Sequence, residues 1–259
     1  MWETAAARAL CHSGGVPGPD TFPRPRPARL GLAWLALASL ALAGCSQSPS
    51  PAPAASAGSA AADGPTCTYT PAGEAAKPVD PPPTGDVETS GTVKYTLTFN
   101  GDAPRETGGN VTITMDRSKT PCTVNSFVSL AKQGYFDGTR CHRLADAGIF
   151  VLQCGDPTGT GSGGPGYAFA DELSGQESYK RGVVAMANAG PGTNGSQFFL
   201  VWDDSTSLDR APNYTIFGQM DAASRDVVAQ MAGEGQDGSN PDQTGKPNNP
   251  AKITKVTEG

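Results

Sequence analysis

The sequence predicts a mainly β protein: a closed or nearly closed barrel of short strands, capped by two helices. Three observations carry this. Gly and Pro supply 33 and 23 of the 259 residues, well above ordinary usage. Short apolar runs recur between Gly, Pro and Asn clusters, and only two segments change to a helical period. Regular punctuation of that kind suits a barrel and argues against a helical bundle.

In chain order, residues 1–44 read as an address rather than a fold. Arg24, Arg26 and Arg29 precede the uncharged run LGLAWLALASLALA at 30–43. It is short for crossing a hydrocarbon core of ~30 Å as a helix. A basic stretch, an apolar stretch and small residues describe a secretory signal. The run ends Leu42-Ala43-Gly44-Cys45, which resembles the lipobox of bacterial lipoproteins, where cleavage precedes an acylated cysteine. The alternative is an ordinary signal peptide with a cysteine nearby. Residues 1–23 are long for a leader, so a start assigned too far upstream is expected. Loss of 1–44 removes four Arg and two acidic residues and takes the formal charge from −6 to −8. An anionic membrane repels such a body, so lipid on Cys45 would be the anchor. The expected location is the extracytoplasmic face of the cell membrane.

Residues 45–91 read as a tether. Its part 46–63 has no aromatic residue and no aliphatic larger than Ala, too little to offset ordering entropy. Residues 64–90 stay Pro-rich and either continue the linker or lie against the domain. Fourteen of the 18 aromatics fall between Tyr95 and Phe217, which places the folded domain at 92–257.

Within it, Val93, Tyr95, Leu97 and Phe99 alternate, as do Val111, Ile113 and Met115, predicting two half-buried strands. Val124, Phe127, Val128 and Ala131 then follow helical spacing. Thr120 fits the N-cap, Pro121 the first turn and Gly134 the stop. Strand-like runs follow at 149–153, 183–187, 197–201 and 214–218. A second helix is predicted at 224–232 and a last strand at 252–257.

The acidic balance, with pI near 4.9, argues against a nucleic-acid partner. Two histidines leave little room for a His-based metal site. Two segments carry chemistry: Cys141-His142-Arg143-Leu144 with Phe150-Val151-Leu152-Gln153-Cys154-Gly155-Asp156, and MANAGPGTNGSQFF at 186–199. With NSFVSLAKQGYFDGTRCHR at 125–143, they resemble the cyclophilin family of peptidyl-prolyl isomerases over essentially all of 92–257.

The resemblance implies a closed antiparallel eight-stranded barrel with two helices. It also implies rotation about Xaa-Pro bonds in proline-containing polypeptides, by a monomer needing no cofactor or metal. The intrinsic barrier is ~18–20 kcal/mol, set by partial double-bond character. A catalyst must bind the twisted amide better than either planar form. Arg143 matches the family arginine, whose rigid charged fork can donate to the proline nitrogen. Out of context it would read as a surface Arg in an ion pair. Gln153 matches the glutamine that orients it. Asn188 matches a residue whose backbone pairs with substrate, and Gln197 a second polar contact. Gly161, Ala187 and Ala189 fall at matching groove positions. Phe150, Val151, Phe199 and Leu208 match the proline pocket, and Tyr214 replaces a pocket histidine.

The chain departs from the family in four further places. Ala145–Ile149 holds a two-residue insertion. Ser207 stands where a tryptophan associated with cyclosporin binding is common, so weakened binding of that drug is expected. Val151 stands where a methionine is usual. Another insertion in Trp202–Asp209 blurs that loop's alignment.

The acidic run 233–245 reads as a solvated loop rather than a calcium site. Cys67, Cys122, Cys141 and Cys154 allow three full pairings, and the sequence does not choose. A bridge involving Cys141 or Cys154 would brace the strands carrying Arg143 and Gln153. A module that holds proline peptides without turning them over is the competing function; pure binding would not need the arginine.

Overall fold

The computed structural model describes residues 65–100 and 107–259; the leader, Cys45 and 46–63 lie outside the described residues. Strand β1 spans Thr70–Pro71, β2 Thr92–Asn100 and β3 Gly109–Asp116, followed by helix α1 at Pro121–Lys132. Strands β2 and β3 pair antiparallel from Thr92↔Asp116 to Phe99↔Gly109. Their alternating Tyr95, Leu97, Phe99, Val111, Ile113 and Met115 are buried, as a sheet with one covered face requires. Helix α1 lays Val124, Phe127 and Leu130 on that face. The Phe127 ring packs against Tyr95, Phe136, Phe198 and Phe217 at centroid distances of 5.1–6.0 Å.

The start of α1 differs from expectation in one detail. Thr120 occupies the N-cap but makes no capping bond. Instead Glu172 accepts from the Cys122 N–H at 3.0 Å, the Thr123 N–H at 2.8 Å and the Thr123 hydroxyl at 2.7 Å. A distant carboxylate satisfies the orphan donors and suits the positive end of the helix dipole. Gly134 follows the C-cap Gln133 with φ +66°, the left-handed stop that glycine allows.

The remaining elements are β4 (Thr139–Arg140), β5 (Arg143–Ala147), β6 (Ile149–Cys154), β7 (Tyr167–Ala168), β8 (Val183–Met186), β9 (Phe198–Val201), a 3-10 turn (Leu208–Arg210), β10 (Ile216–Met220), α2 (Ala222–Ala232) and β11 (Lys252–Glu258). Nine strands form one sheet in the order β4-β11-β2-β3-β10-β8-β9-β6-β5, and β1 pairs with β7 apart from it. The expected closed eight-stranded barrel is therefore corrected to an open half-barrel of nine strands. The reason lies at Cys141–His142. The Cys141 N–H bonds to Ala251 at the start of β11, whereas the His142 N–H bonds to Gln153 on β6. The chain changes partner at that point, so the ladder breaks between β4 and β5.

The described part of the Pro-rich segment lies against the domain. Cys67 is disulfide-bonded to Cys122, and β1 pairs with β7. Tyr69 packs edge-on against Tyr167 and Phe169 at 5.4 and 5.6 Å. The Lys77 ammonium donates to the carbonyls of Gly134, Tyr135 and Asp137, where a cation meets the C-terminal end of α1 favourably.

Candidate functional site

The β5–β6 hairpin carries the first part of the site. Its register sets Arg143 opposite Gln153, Ala145 opposite Val151 and Ala147 opposite Ile149. The inserted residues are absorbed as paired strand, turning at Gly148. Side chains two apart share a face, so Ile149, Val151 and Gln153 point together. These three line a pocket of about 240 Å³ with Arg143, Ala187, Asn188, Phe199, Leu208 and Tyr214. Phe150 is absent from it, which corrects the sequence expectation. Phe150 and Val151 are neighbours on a strand and face opposite ways; the Phe150 ring packs edge-on against Trp202 at 5.1 Å. Ile149 stands in its place.

The pocket floor is apolar and held by packing. Val151 and Phe199 are buried, and Tyr214 meets Phe199 edge-on at 5.4 Å. Tyr179, unsuspected from sequence, fixes Tyr214. Its hydroxyl donates to the Tyr214 carbonyl at 2.8 Å and accepts from the Tyr214 N–H at 3.0 Å. Asp209 in turn accepts from the Tyr179 N–H at 2.8 Å. Ser207 sits at the rim and donates to the Gly148 carbonyl at 2.8 Å.

Above the floor runs a relay of amides. Arg143 Nη1 donates to Gln153 Oε1 at 3.3 Å. Gln153 Nε2 donates to Gln197 Oε1 at 2.9 Å. Gln197 Nε2 donates to the carbonyls of Gly161 and Gly163 at 2.9 and 3.0 Å. Each amide thus has one orientation, set by the donor before it and the acceptor after it. The loop at the end of the relay is folded by Asp156, which accepts from the N–H groups of Thr158, Gly161 and Gly163 at 2.7, 2.7 and 3.1 Å. Burial raises the Asp156 pKa, but the Thr158 hydroxyl and N–H and the glycine N–H groups outweigh it and hold it below the usual value. Only glycine fits at 163, where a Cβ would lie 2.0 Å from Asp156 Oδ1. His142 lies beside this loop, and burial lowers its pKa.

Gly161 and Ala189 are not in the Arg143 pocket. They line an adjoining groove of about 650 Å³ that shares Gln153, Ala187 and Asn188 with it. The Asn188 side chain is occupied: its Nδ2 donates to Asp171 Oδ1 and the Asn213 carbonyl, and its Oδ1 accepts from the Gly190 N–H. Its backbone N–H and C=O have no hydrogen-bond partner among the described residues. They form a free edge between the two cavities.

Cys141 is disulfide-bonded to Cys154. The bridge ties the segment just before β5 to the end of β6, beside Arg143 and Gln153. The acidic run 233–245, read from sequence as a solvated loop, also reaches the site through the 236–247 loop. Arg143 Nε donates to Thr244 Oγ1 at 3.0 Å and Nη2 to Asp242 Oδ2 at 2.9 Å. The ion-pair reading of Arg143 and its place in the pocket hold together. No spacing in the sequence announced Asp242 or Thr244, which lie about a hundred residues away. A strand-borne guanidinium over an apolar pocket, beside a free backbone edge, defines the class of this half-barrel protein.

Comparison with known proteins places the chain within that class. Residues 103–258 match the family model "Cyclophilin type peptidyl-prolyl cis-trans isomerase/CLD". The probable peptidyl-prolyl cis-trans isomerase B of Mycobacterium tuberculosis is 43% identical over 208 residues, covering 74% of this chain and 64% of that protein. The probable isomerase A of Mycobacterium bovis is 40% identical over 167 residues, covering 58% of this chain and 86% of the relative. The crystal structure of a Cryptosporidium parvum cyclophilin-type isomerase superposes with a TM-score of 0.55 at 28% identity, over 65% of this chain and 98% of that one. The chain belongs to the cyclophilin-type peptidyl-prolyl cis-trans isomerase family. It spans just under two thirds of the length of the isomerase B relative.

Proposed function

We propose that this protein is a peptidyl-prolyl cis-trans isomerase acting on proline-containing polypeptides. The observation that carries the reading is the Arg143–Gln153 cross-strand pair, set over the Val151, Phe199, Leu208 and Tyr214 pocket. The pocket takes the proline ring, with Ile149 completing its wall. The Asn188 backbone pairs with the substrate main chain, and the adjoining groove with Gly161, Ala189 and Gln197 takes a flanking residue. Arg143 donates to the proline nitrogen as that nitrogen pyramidalises, favouring the twisted amide over both planar isomers. Gln153 orients the guanidinium without quenching its charge. In support, one fold neighbour was crystallised in the presence of the dipeptide Ala-Pro. A proline-isomerisation assay on a short peptide tests the proposal with wild type and Arg143→Ala. A rate that collapses in the variant supports it; equal rates, or no activity in either, sink it.

The cellular setting is a proposal of the same kind: an exported monomer, acylated at Cys45 and held by a tether at the extracytoplasmic membrane face, assisting slow proline steps in folding. The Leu42–Cys45 run supports it, and two disulfides suit an oxidising compartment. Radiolabelled lipid should enter the wild-type protein and be lost from Cys45→Ala; equal labelling of both would refute the anchor.

A further inference from the structure

The loop between α2 and β11 is the one acidic, Gly-rich motif whose sequence suggested no role, yet it folds onto the reactive arginine. Its backbone docks on β5 through a two-way bridge. The Leu144 N–H donates to the Gly245 carbonyl at 2.8 Å, and the Gly245 N–H to the Leu144 carbonyl at 3.1 Å. The loop is closed on itself nearby, where Asp237 Oδ1 accepts from the Lys246 N–H at 2.9 Å. Thr244 is buried at this junction.

From that base a ring of hydrogen bonds grips the guanidinium. Arg143 Nε donates to Thr244 Oγ1, which donates to Asp242 Oδ1 at 2.6 Å; the other oxygen, Oδ2, accepts from Arg143 Nη2. The Thr244 N–H donates to Asp242 Oδ1 at 3.2 Å, and Asn240 Nδ2 donates to Thr244 Oγ1 at 3.0 Å. One edge of the guanidinium is therefore fixed by the loop, and Gln153 takes one Nη1 hydrogen. Of the five N–H donors an arginine carries, one on each terminal nitrogen has no partner among the described residues. Asp242 is 55% exposed at its side chain, so solvent screens it and the guanidinium keeps its charge for the substrate. An arginine side chain otherwise has much rotamer freedom.

We infer that Thr244 and Asp242 are positioning residues for Arg143, holding the guanidinium in its working orientation before substrate arrives. The inference rests on the isomerase reading above and assigns the 236–247 loop to the same site. Neither residue touches substrate; each acts through Arg143. Misplacing a reacting group lowers turnover more than binding.

The test uses Thr244→Val, which keeps side-chain volume but removes the hydroxyl, and Thr244→Ser, which restores it. The expected result is a kcat lowered about tenfold in Thr244→Val, with KM within about twofold of wild type, and recovery in Thr244→Ser. The Arg143 Nε–H resonance is expected to exchange slowly in the wild type, to be lost in Thr244→Val and to return in Thr244→Ser. A wild-type kcat in Thr244→Val, a loss confined to KM, or no recovery with serine overturns the inference. An inactive wild type removes the isomerase reading instead; the Nε–H resonance then decides positioning by itself, and its survival in Thr244→Val overturns it.

Discussion

The Arg143 wall and the Tyr214 wall line one pocket but are held by different forces. Tyr214, Phe199 and Val151 are placed mainly by burial, with rings meeting edge-on and one hydroxyl, that of Tyr179, locking the backbone. Arg143 is placed by polar contacts drawn from far along the chain: Gln153 across the hairpin, and Thr244 and Asp242 from the loop before β11. Packing is non-directional and tolerates small shifts, whereas a hydrogen-bonded fork fixes an angle. A proline ring needs only an apolar seat, while the amide nitrogen needs a donor aimed at one spot. Each wall is held in the manner its task requires.

The largest expected effect breaks the packed wall. Phe199→Ala removes a buried ring and should cost about 3–5 kcal/mol of stability, read by urea denaturation. A loss below 1 kcal/mol would mean that the floor collapses to fill the gap. Next, Arg143→Ala should leave stability nearly unchanged yet slow isomerisation about 10²-fold, equivalent to roughly 2.7 kcal/mol. A large stability loss with an unchanged rate would reverse the assignment of the two walls. Tyr179→Phe should cost about 1–2 kcal/mol, because the half-buried Tyr214 N–H and C=O both lose their partner; thermal unfolding checks this, and a neutral result would show the packed wall needs no lock.

The smallest effects sharpen the polar wall. The Thr244 hydroxyl and Arg143 bring the Asp242 pKa down from 3.8 to about 2. A folded value below the unfolded one means protons favour unfolding. The contribution is therefore complete above about pH 4 and fades as pH falls to about 2. The stability difference between wild type and Asp242→Asn should shrink over that window; a difference independent of pH contradicts the bond. Ser207→Trp should tighten cyclosporin binding, measured by calorimetry, and an unchanged affinity would remove that rim position from drug recognition.

Much of the packed wall was legible in the sequence. Period-2 alternation named β2 and β3, short apolar runs named β6 and β9, and helical spacing named α1 and α2 to within a residue or two of their observed ends. Motif matching assigned both Phe150 and Val151 to the pocket, whereas strand alternation turns only Val151 into it and Ile149 lines it as well. The polar wall was legible only where its partners lay within one hairpin, as with Arg143 and Gln153. Glu172 capping α1, and Thr244 and Asp242 holding Arg143, gave no local signal, because a hydrogen bond leaves no periodic trace at long separation. The cysteines show the same divide, since four thiols permit three pairings until the strands are placed.

The sequence by itself determined which residues are apolar and at what period, and so seven of the strands and the two helices, while its motifs at 141–156 and 186–199 carried the family resemblance. It also determined that Arg143 and Gln153 share a hairpin. Tertiary structure alone decided that the ladder opens at Cys141–His142, that Cys67 joins Cys122 and Cys141 joins Cys154, and that an acidic loop closes on the arginine. The physical reason is range. Periodicity is imposed residue by residue by the backbone's own geometry, whereas pairings between distant polar groups exist only once folding has brought them within 3 Å or so.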